Sequence, residues 1–327
     1  MSEPRVLSFG SLNLDYVYRV GRIVRAGETI DSNELQLHCG GKGLNQSIAL
    51  ARAGADACHA GLVGEDGDVL LGTLGESGVD VSRVERVPGR SGHTIIQVDE
   101  CGQNSIILYG GANRQVSRGY VERALRGFGS GDVLVVQNEA NMLAPIVELG
   151  ARRGMRVVLN PSPFDERIAE CDLGLVWLMF VNEVEGEQIT GESEPERILD
   201  ALARRWPRMN VVLTLGERGA AARFGDVRAT VAAMPVPGGA VVDTTAAGDT
   251  FEGYFLAEWL RWGREACACD GAEELRRDRA ACAGDGAEEL RARVEASLKV
   301  AARASAIAVS RAGAAPSIPW AAEVCDA

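Results

Sequence analysis

Short, mostly apolar segments alternate in this chain with stretches of helical periodicity, and this alternation restricts the possible folds to a small set. The apolar segments are rich in β-branched residues and comprise residues 6–9, 133–136, 156–159, 176–181 and 211–215. Helical patterns lie between them, for example at residues 43–53, 142–153 and 197–206. Strands that are apolar on both faces are typical of parallel sheets covered by helices on each side. The sequence therefore predicts a three-layer α/β/α fold with a mostly parallel central sheet.

Polar residues follow the predicted strands at the point where each one ends. They are Asn13, Asp15, Glu139, Asn160, Asn182 and Thr214. Parallel sheets bind their ligands beyond the carboxyl ends of the strands, so these side chains are expected to line one shared cleft. Any single one of them is equally compatible with a turn or a helix cap.

Two segments depart from this pattern. Residues 15–39 and 92–109 alternate between apolar and polar residues, which is typical of half-exposed strands. We expect them to form a small β-sheet lid, with an edge extension of the main sheet as the alternative. The core domain would then comprise residues 1–14, 40–91 and 110–327.

A tandem repeat interrupts the last third of the chain. Residues 266–276 recur almost unchanged as residues 281–291. Two copies are too few for a repeat fold, so we interpret residues 264–292 as a duplicated, charged surface insertion between two helices. No histidine accompanies Cys267, Cys269 and Cys282, which disfavours a metal site there.

Charge and cysteine content exclude several classes of function. The net charge is −12 and the sequence pI is near 4.9, which argues against nucleic acid or an anionic membrane as a partner. Eight scattered cysteines without a CxxC pair are typical of a reduced, intracellular protein. Residues 1–7 do not have the basic-then-apolar pattern expected of a signal peptide, and no apolar run reaches about 18 residues. We therefore expect a soluble, cytoplasmic protein.

The segment from residue 241 to residue 255 is the strongest candidate for chemistry. Small residues at positions 246–248 allow the backbone to approach a ligand closely. An apolar stripe with a spacing of four residues follows at Phe251, Phe255 and Trp259. It predicts a helix that starts near Gly248, whose free amides and dipole would favour an anion. Asp249 lies in the first turn, where a plain helix cap is the alternative interpretation.

A second glycine-rich motif spans residues 39–46. It is not a Walker A loop, because Gly43 rather than Ser or Thr follows Lys42, and it lacks the glycine spacing of a dinucleotide fingerprint. Asn45 offers both a donor and an acceptor, which suits recognition of a polyol. Gly40 and Gly41 alone would indicate only a tight turn.

Together these segments resemble the ribokinase family of sugar kinases over nearly the whole chain. The resemblance is carried by residues 10–15, 40–45, 110–113, 159–163, 181–185, 213–216, 243–255, 308–313 and 316–320. The glycine motif and the segment from Asp243 to Phe255 are highly specific for the family. The resemblance implies the fold expected above and transfer of the γ-phosphate of ATP to a sugar hydroxyl.

The resemblance also implies a role for individual residues. Asp249 would be the general base, and the amides of Ala246, Ala247 and Gly248 would stabilise developing charge. The residues implied to bind the sugar, together with Asp249, are Asn13, Asp15, Gly41, Lys42, Asn45 and Glu139.

Nucleotide and metal sites are implied in the same way. Asn182 and Glu185 match a motif that organises Mg²⁺ and phosphate, and Thr214, Gly216 and Gly248 would line the nucleotide site. The residues that match the family's potassium loop are Asp243, Thr245, Ala308, Arg311, Gly313 and Ser317. The implied cofactors are therefore ATP, Mg²⁺ and K⁺.

The implied reaction is phosphorylation of D-ribose to ribose 5-phosphate. Deoxyribose, fructose, 2-keto-3-deoxygluconate or a nucleoside are alternative substrates, and a non-catalytic sugar-binding regulator is an alternative of another class. Two lids could pair across a two-fold axis, so a homodimer is expected. Two departures from the family pattern are expected to matter: Ala301 replaces an Asn near the adenine, and Leu44 is expected to narrow the sugar pocket.

Overall fold

The computed structural model describes residues 4–269 and 286–325, with side chains described up to residue 262 and again from residue 286. The duplicated insertion, including Cys267, Cys269 and Cys282, lies largely outside the residues whose side chains are described. Its flanks belong to two long helices, which end at Cys269 and begin at Gly286.

Thirteen strands occur in the described residues. In chain order they are β1 (Val6–Phe9), β2 (Asn13–Arg19), β3 (Glu34–Gly40), β4 (Ala57–Val63), β5 (Asp80–Arg86), β6 (Gly92–Val98), β7 (Asn104–Tyr109), β8 (Val133–Gln137), β9 (Arg156–Asn160), β10 (Val176–Asn182), β11 (Asn210–Thr214), β12 (Ala220–Phe224) and β13 (Val227–Val231).

Nine α-helices are described alongside these strands. They are α1 (Lys42–Arg52), α2 (Asp68–Glu76), α3 (Arg118–Ala124), α4 (Leu143–Arg152), α5 (Glu183–Thr190), α6 (Pro195–Arg205), α7 (Ala247–Cys269), α8 (Gly286–Ala308) and α9 (Ala321–Cys325). None of these nine is both long enough and apolar enough to span a membrane.

The main sheet has nine strands in the order β13-β12-β11-β10-β9-β8-β1-β4-β5. Every neighbouring pair is parallel except the two pairs that involve β12, which is antiparallel to β11 and β13. The predicted mostly parallel sheet is therefore confirmed. Within this sheet, β12 alone runs against the others, and a short turn connects it to β11.

Helices cover both faces of this sheet, which explains why its strands are apolar throughout. Val133 and Val135 of β8 belong to a core that includes residues of α1, α7 and α8. Leu134 and Val136 of the same strand belong to a second core with residues of α3, α4 and α6. Successive side chains of a strand point to opposite faces, so each core takes every second residue. The three-layer α/β/α prediction is confirmed.

A second, four-stranded sheet has the order β3-β2-β6-β7 and is separate from the main sheet. Strands β2 and β6 are parallel, whereas the outer pairs β2–β3 and β6–β7 are antiparallel. Its strands come from the two segments with alternating polarity, and no strand pairing among the described residues joins it to the edge of the main sheet. We call these four strands the small sheet.

Helix α7 is held on the main sheet by the apolar stripe recognised in its sequence. Phe255 and Trp259 stack on Phe224 of β12, with ring centroids 5.9 and 4.8 Å away. Trp177 of β10 extends the cluster, 5.7 Å from Trp259. Aromatic pairs at such distances add about 0.5–1.5 kcal/mol beyond their buried area. The stripe therefore fixes the direction in which the N-terminus of α7 points.

Candidate active site

The two glycine-containing motifs meet where helix α1 packs against helix α7. Asp249 is buried in the first turn of α7. Its carboxylate accepts hydrogen bonds from Asn45 Nδ2 and Gln46 Nε2 of α1, each at 3.0 Å. Two donors from a neighbouring helix hold the carboxylate in one orientation, which is what a general base requires.

The close approach of α1 and α7 depends on a glycine. A Cβ atom at Gly253 would lie 2.4 Å from the Cβ of Ala49 and 2.9 Å from the backbone of Ala49 and Leu50. Carbon atoms in contact are normally about 3.5–4.0 Å apart, so only glycine is accommodated without movement of one helix. Gly253 therefore determines how near Asp249 lies to Asn45.

Polar residues at the ends of four adjacent strands form the floor of the site. Gln137 of β8 aligns with Asn160 of β9, and Asn182 of β10 aligns with Thr214 of β11. Glu139 follows β8 by two residues. As the sequence predicted, one edge of the parallel sheet carries Glu139, Asn160, Asn182 and Thr214.

Glu139 connects this floor to the glycine motif. Its Oε2 accepts a hydrogen bond from the backbone N–H of Lys42 at 2.9 Å and another from the hydroxyl of Ser11. Burial by itself lowers the pKa of the Lys42 ammonium, but the negative charges of Asp249 and Glu139 outweigh burial and raise that pKa above its ordinary value. The one cation of the glycine motif therefore stays protonated among carboxylates. Gly41 precedes it with φ of 96°, a conformation that favours glycine.

Asp15 reaches the site from the small sheet. Its Oδ1 accepts a hydrogen bond from Thr94 Oγ1 of β6 at 2.5 Å. Burial raises the pKa of the Asp15 carboxyl, although the bond from Thr94 opposes the effect. A Cβ atom at Gly40 would lie 2.0 Å from Asp15 Oδ2, so the first glycine of the motif makes room for this carboxylate.

Asn13 is held by a residue to which the sequence had assigned no role. Asn113 Nδ2 donates to Asn13 Oδ1 at 2.8 Å, and Asn113 Oδ1 accepts from the N–H of Leu12 at 3.0 Å. Gly92 leaves space for this pair, because a Cβ atom there would lie 2.1 Å from Asn113 Nδ2. The Gly-Gly-Ala-Asn motif at residues 110–113 therefore supports the start of β2.

The turn before α7 presents backbone amides. Ala246 has φ of 60°, and its carbonyl accepts from the N–H of Thr250 at 2.8 Å. The N–H of Ala247 is used within the turn, since it donates to the Thr244 carbonyl at 3.2 Å. The N–H groups of Ala246 and Gly248 have no partner in the described part of the chain. Two of the three predicted amides are therefore free to bind an anion.

Asn182 and Glu185 form a capping box at the start of α5. Asn182 Oδ1 accepts from the N–H of Glu185 at 2.9 Å, and Glu185 Oε2 accepts from the N–H of Asn182 at 3.1 Å. Glu185 is buried, and its charge acts on Lys42. Thr214 Oγ1 donates to the Val181 carbonyl at 3.4 Å, and Gly216 begins a turn just beyond the end of β11.

The residues of the implied potassium loop come from two distant segments that the structure brings together. Asp243 Oδ1 accepts from the N–H and hydroxyl of Thr245, at 2.9 and 2.6 Å, and Asp243 Oδ2 accepts from the N–H of Gly313 at 2.9 Å. The N–H of Val242 donates to the Val309 carbonyl at 2.8 Å. The other residues of this set are Ala308 and Ser317, both buried, and Arg311, which pairs with Glu323.

One expectation about a departure from the family pattern is wrong. Leu44 and Ala301 are both fully buried in the core that contains α1, α7 and α8. A side chain with no exposure in an open cleft does not line that cleft, so Leu44 does not narrow the sugar pocket. Ala301 offers no polar group to a nucleotide, so the effect of losing the family's Asn stays a prediction.

Sequence reasoning missed a buried polar network behind Asp249. Gln46, Gln137, Asn160 and Glu252 are joined by hydrogen bonds to one another and to Asp249. Glu252 could have been found from its spacing, because residues three apart on a helix lie on the same face. Gln46 is the last residue of the glycine-rich motif, and no role had been assigned to it.

Comparisons with known proteins agree with this geometry. The sequence profile of the pfkB family carbohydrate kinases matches residues 3–321. The ribokinase of Haemophilus influenzae is 33% identical over 282 residues, which cover 79% of this chain and 89% of that protein. The deoxyribokinase of Salmonella typhi is 31% identical over 266 residues, which cover 78% and 85%. The structure of Arabidopsis thaliana ribokinase complexed with ribose and ATP superposes with a TM-score of 0.80 at 27% identity, covering 99% of this chain and 98% of that one.

The match of the family profile to nearly the whole chain determines the class of reaction. The fold is that of the ribokinases, and the activity is that of a phosphotransferase with an alcohol group as acceptor. This chain belongs to the pfkB family of carbohydrate kinases.

Proposed function

We propose that this chain transfers the γ-phosphate of ATP to the primary hydroxyl of D-ribose and so produces ribose 5-phosphate. The observation that carries the proposal is the buried carboxylate of Asp249, held by Asn45 and Gln46 beside two free backbone amides. A relative named ribokinase and a structural neighbour complexed with ribose and ATP support the choice of sugar.

The sugar would lie between α1, the small sheet and Asp249. Asn45 Oδ1 is buried without a hydrogen-bond donor in the described residues, and a sugar hydroxyl would supply one. In our proposal the same space is surrounded by Asn13, Asp15 and Glu139 and by the backbone of Gly41 and Lys42. Holding one hydroxyl close to Asp249 would contribute most to catalysis, because positioning of the reactants dominates phosphoryl transfer.

Asp249 would accept the proton of the primary hydroxyl as that oxygen attacks the phosphorus. The free N–H groups of Ala246 and Gly248 would donate to the phosphoryl oxygens, whose charge changes during transfer. The protonated ammonium of Lys42 would add positive charge on the sugar side. Asn182, Thr214 and Gly216 would contact the nucleotide from the ends of β10 and β11.

We propose that residues of this site also hold two metal ions. Glu185 Oε1 accepts no hydrogen bond in the described residues, and carboxylate oxygens are the ligands that Mg²⁺ prefers, directly or through water. When bound, Mg²⁺ would neutralise charge on the ATP phosphates. Carbonyls of Thr245, Ala308 and Arg311, with Gly313, Ser317 and Asp243, would hold K⁺ beside the turn that presents the amides.

The central test is an Asp249→Ala variant assayed with ATP and a panel of sugars, with and without potassium. We expect kcat with D-ribose to fall by at least about 10²-fold, because a positioned base contributes about 10²–10⁴-fold. Asp226→Ala is the matched control, since Asp226 is exposed in the turn between β12 and β13 and its side chain makes no hydrogen bond within the described part of the chain. Near-normal turnover of Asp249→Ala would remove the role given to this residue.

The sugar panel includes deoxyribose, fructose, 2-keto-3-deoxygluconate and nucleosides. Deoxyribose is the strongest competitor, given the deoxyribokinase relative. A nucleoside would need an aromatic slot, and the ring cluster of Tyr16, His93 and Tyr109 lies on the face of the small sheet opposite Asp15. Binding of sugars without consumption of ATP would refute the proposal and favour a regulatory protein.

We further propose that the small sheet is a lid and that two copies pair through it. Its face opposite Asp15 exposes a row of apolar residues aligned across the strands by the pairing register. The exposed large apolar residues of this face are Leu35, Leu37, Ile95, Ile107 and Tyr109. An apolar patch of this extent on a sheet is typical of an interface, and a two-fold axis would bury it against itself.

The cysteines support a place in the cytoplasm. Cys39, Cys58, Cys101, Cys171 and Cys325 are all free thiols. Secreted proteins commonly oxidise their cysteines to disulfides, whereas cytoplasmic proteins keep them reduced. We therefore propose that the enzyme works in a reducing compartment.

A further inference from the structure

A second carboxyl group lies behind the proposed catalytic base. Glu252 follows Asp249 by three residues on α7, so both side chains lie on the same face of the helix. Its exposed fraction is 1%, and no Lys or Arg of the described residues forms an ion pair with it. A carboxyl group buried without a cation is rare in proteins, because the charged form is poorly solvated.

The amide of Gln46 bridges the two carboxyl groups. Gln46 Nε2 donates to Asp249 Oδ1 at 3.0 Å and to Glu252 Oε2 at 3.1 Å, which uses both of its N–H bonds. Gln137 Nε2 donates to Gln46 Oε1, so the orientation of this amide is set from its other end. Since one nitrogen bonds both oxygens, they lie within about 6 Å of each other.

Glu252 is also fixed from the main sheet. Asn160 Nδ2, at the end of β9, donates to Glu252 Oε2 at 3.0 Å. Glu252 Oε1 is buried and has no partner in the described residues. An ionised carboxylate would leave that oxygen unsolvated, whereas a protonated carboxyl carries no net charge there.

The surroundings favour the neutral acid. Burial raises the pKa of Glu252 to about 8, although the hydrogen bond from Asn160 opposes the effect. The charged groups that face it are Asp249 on its own helix, Lys42 on α1 and Glu185 on α5. The two carboxylates raise the pKa and the ammonium lowers it, and the value of about 8 includes these effects, so Glu252 is mainly protonated at neutral pH.

We propose that Glu252 is a positioning residue whose neutral form holds the Gln46 amide against Asp249 and whose ionisation switches the enzyme off. The inference rests on the proposed kinase function. When Glu252 is neutral, Asp249 is the one charged carboxylate that accepts from the Gln46 amide. Ionisation adds a second negative charge within the same network, where it opposes the approach of the ATP phosphates.

The pH dependence of kcat for wild type, Glu252→Gln and Glu252→Ala tests the proposal, measured between about pH 6 and about pH 10. We expect kcat of the wild type to lie about tenfold below its plateau one pH unit above the pKa of Glu252. Glu252→Gln keeps an acceptor for Gln46 and Asn160 but cannot ionise, so this alkaline decrease should disappear. Glu252→Ala should lower kcat at every pH by about tenfold or more, and Gln should rescue that loss.

Lys42 is not expected to produce the same alkaline decrease, because its pKa is raised above the ordinary value of 10.5. An unchanged alkaline decrease in Glu252→Gln overturns the proposal. The proposal is also overturned if Glu252→Gln does not restore the kcat that Glu252→Ala loses.

A second measurement does not depend on activity. Infrared spectra of the full chain should contain a carboxylic acid C=O band that titrates near pH 8 and is missing in Glu252→Gln. Absence of such a band in the wild type overturns the inference. If the sugar panel yields no kinase activity while the band is present, the proposed function fails and the ionisation of Glu252 stands.

Discussion

Replacing Gly253 by alanine tests whether the contact between α1 and α7 sets the geometry of the site. The new Cβ atom would lie 2.4 Å from the Cβ of Ala49, against about 3.5 Å for carbon atoms in contact, so the helices must separate by about 1 Å. Overpacking of this kind costs about 1–3 kcal/mol of folding free energy. Asn45 and Gln46 lie one turn from Ala49, so the displacement reaches their hydrogen bonds to Asp249.

A misplacement of about 1 Å in an active site can cost about 10²-fold in rate, and we expect a loss of that order in kcat. Gly72→Ala is the matched control, because Gly72 lies inside α2 and a methyl group added there would meet no atom of the described residues within 4 Å. There the same change should stabilise the fold by about 0.5–1 kcal/mol. Thermal unfolding measures the stability of both variants, and steady-state kinetics measures their kcat. Equal stability and equal turnover in the two variants would show that the helix contact does not control the site.

Two further predictions concern stability and assembly. The pKa of Glu252 is about 8 in the folded protein, against an ordinary value of 4.5. The proton that the folded state binds more tightly therefore stabilises the fold fully below about pH 4.5. This stabilisation declines as pH rises and is lost above about pH 8. In urea unfolding, the free energy of unfolding of the wild type should fall by up to about 5 kcal/mol across this pH range relative to that of Glu252→Gln. If the unfolding free energies of the two proteins change with pH in parallel, the assignment is contradicted. Light scattering at micromolar concentration should show that Ile107→Asp converts a dimer to a monomer. Val184→Asp is the matched control and should not change the mass, since Val184 is 64% exposed and Ile107 is 62% exposed. A wild-type monomer would exclude pairing through the small sheet.

The layered fold could be predicted because its signal is local. A strand such as Val133–Gln137 must be apolar at nearly every position when helices cover both faces, and that continuous run is visible without a structure. The start of α7 was equally visible, because the apolar stripe and the small residues before it belong to one short segment. The identity of Asp249 as the candidate base followed from the same segment and from the family resemblance.

The orientation of single residues within helices was less predictable. Leu44 was expected to narrow the sugar pocket, yet it is fully buried in the core. Successive residues of a helix point about 100° apart, so an error of one position moves a side chain from cleft to core. Local sequence does not determine the rotation of a helix about its axis. Packing against the sheet does.

Local patterns in the chain were enough to identify the strands, the helices, the family and the position of the candidate base. They did not reveal that Gln46 joins Asp249 to Glu252, two residues more than 200 positions away from it along the chain. Hydrogen bonds between such distant residues depend on how closely α1 and α7 approach, and Gly253 sets that approach in the folded protein. The protonation state of Glu252 depends in turn on burial, which no single segment of the chain specifies.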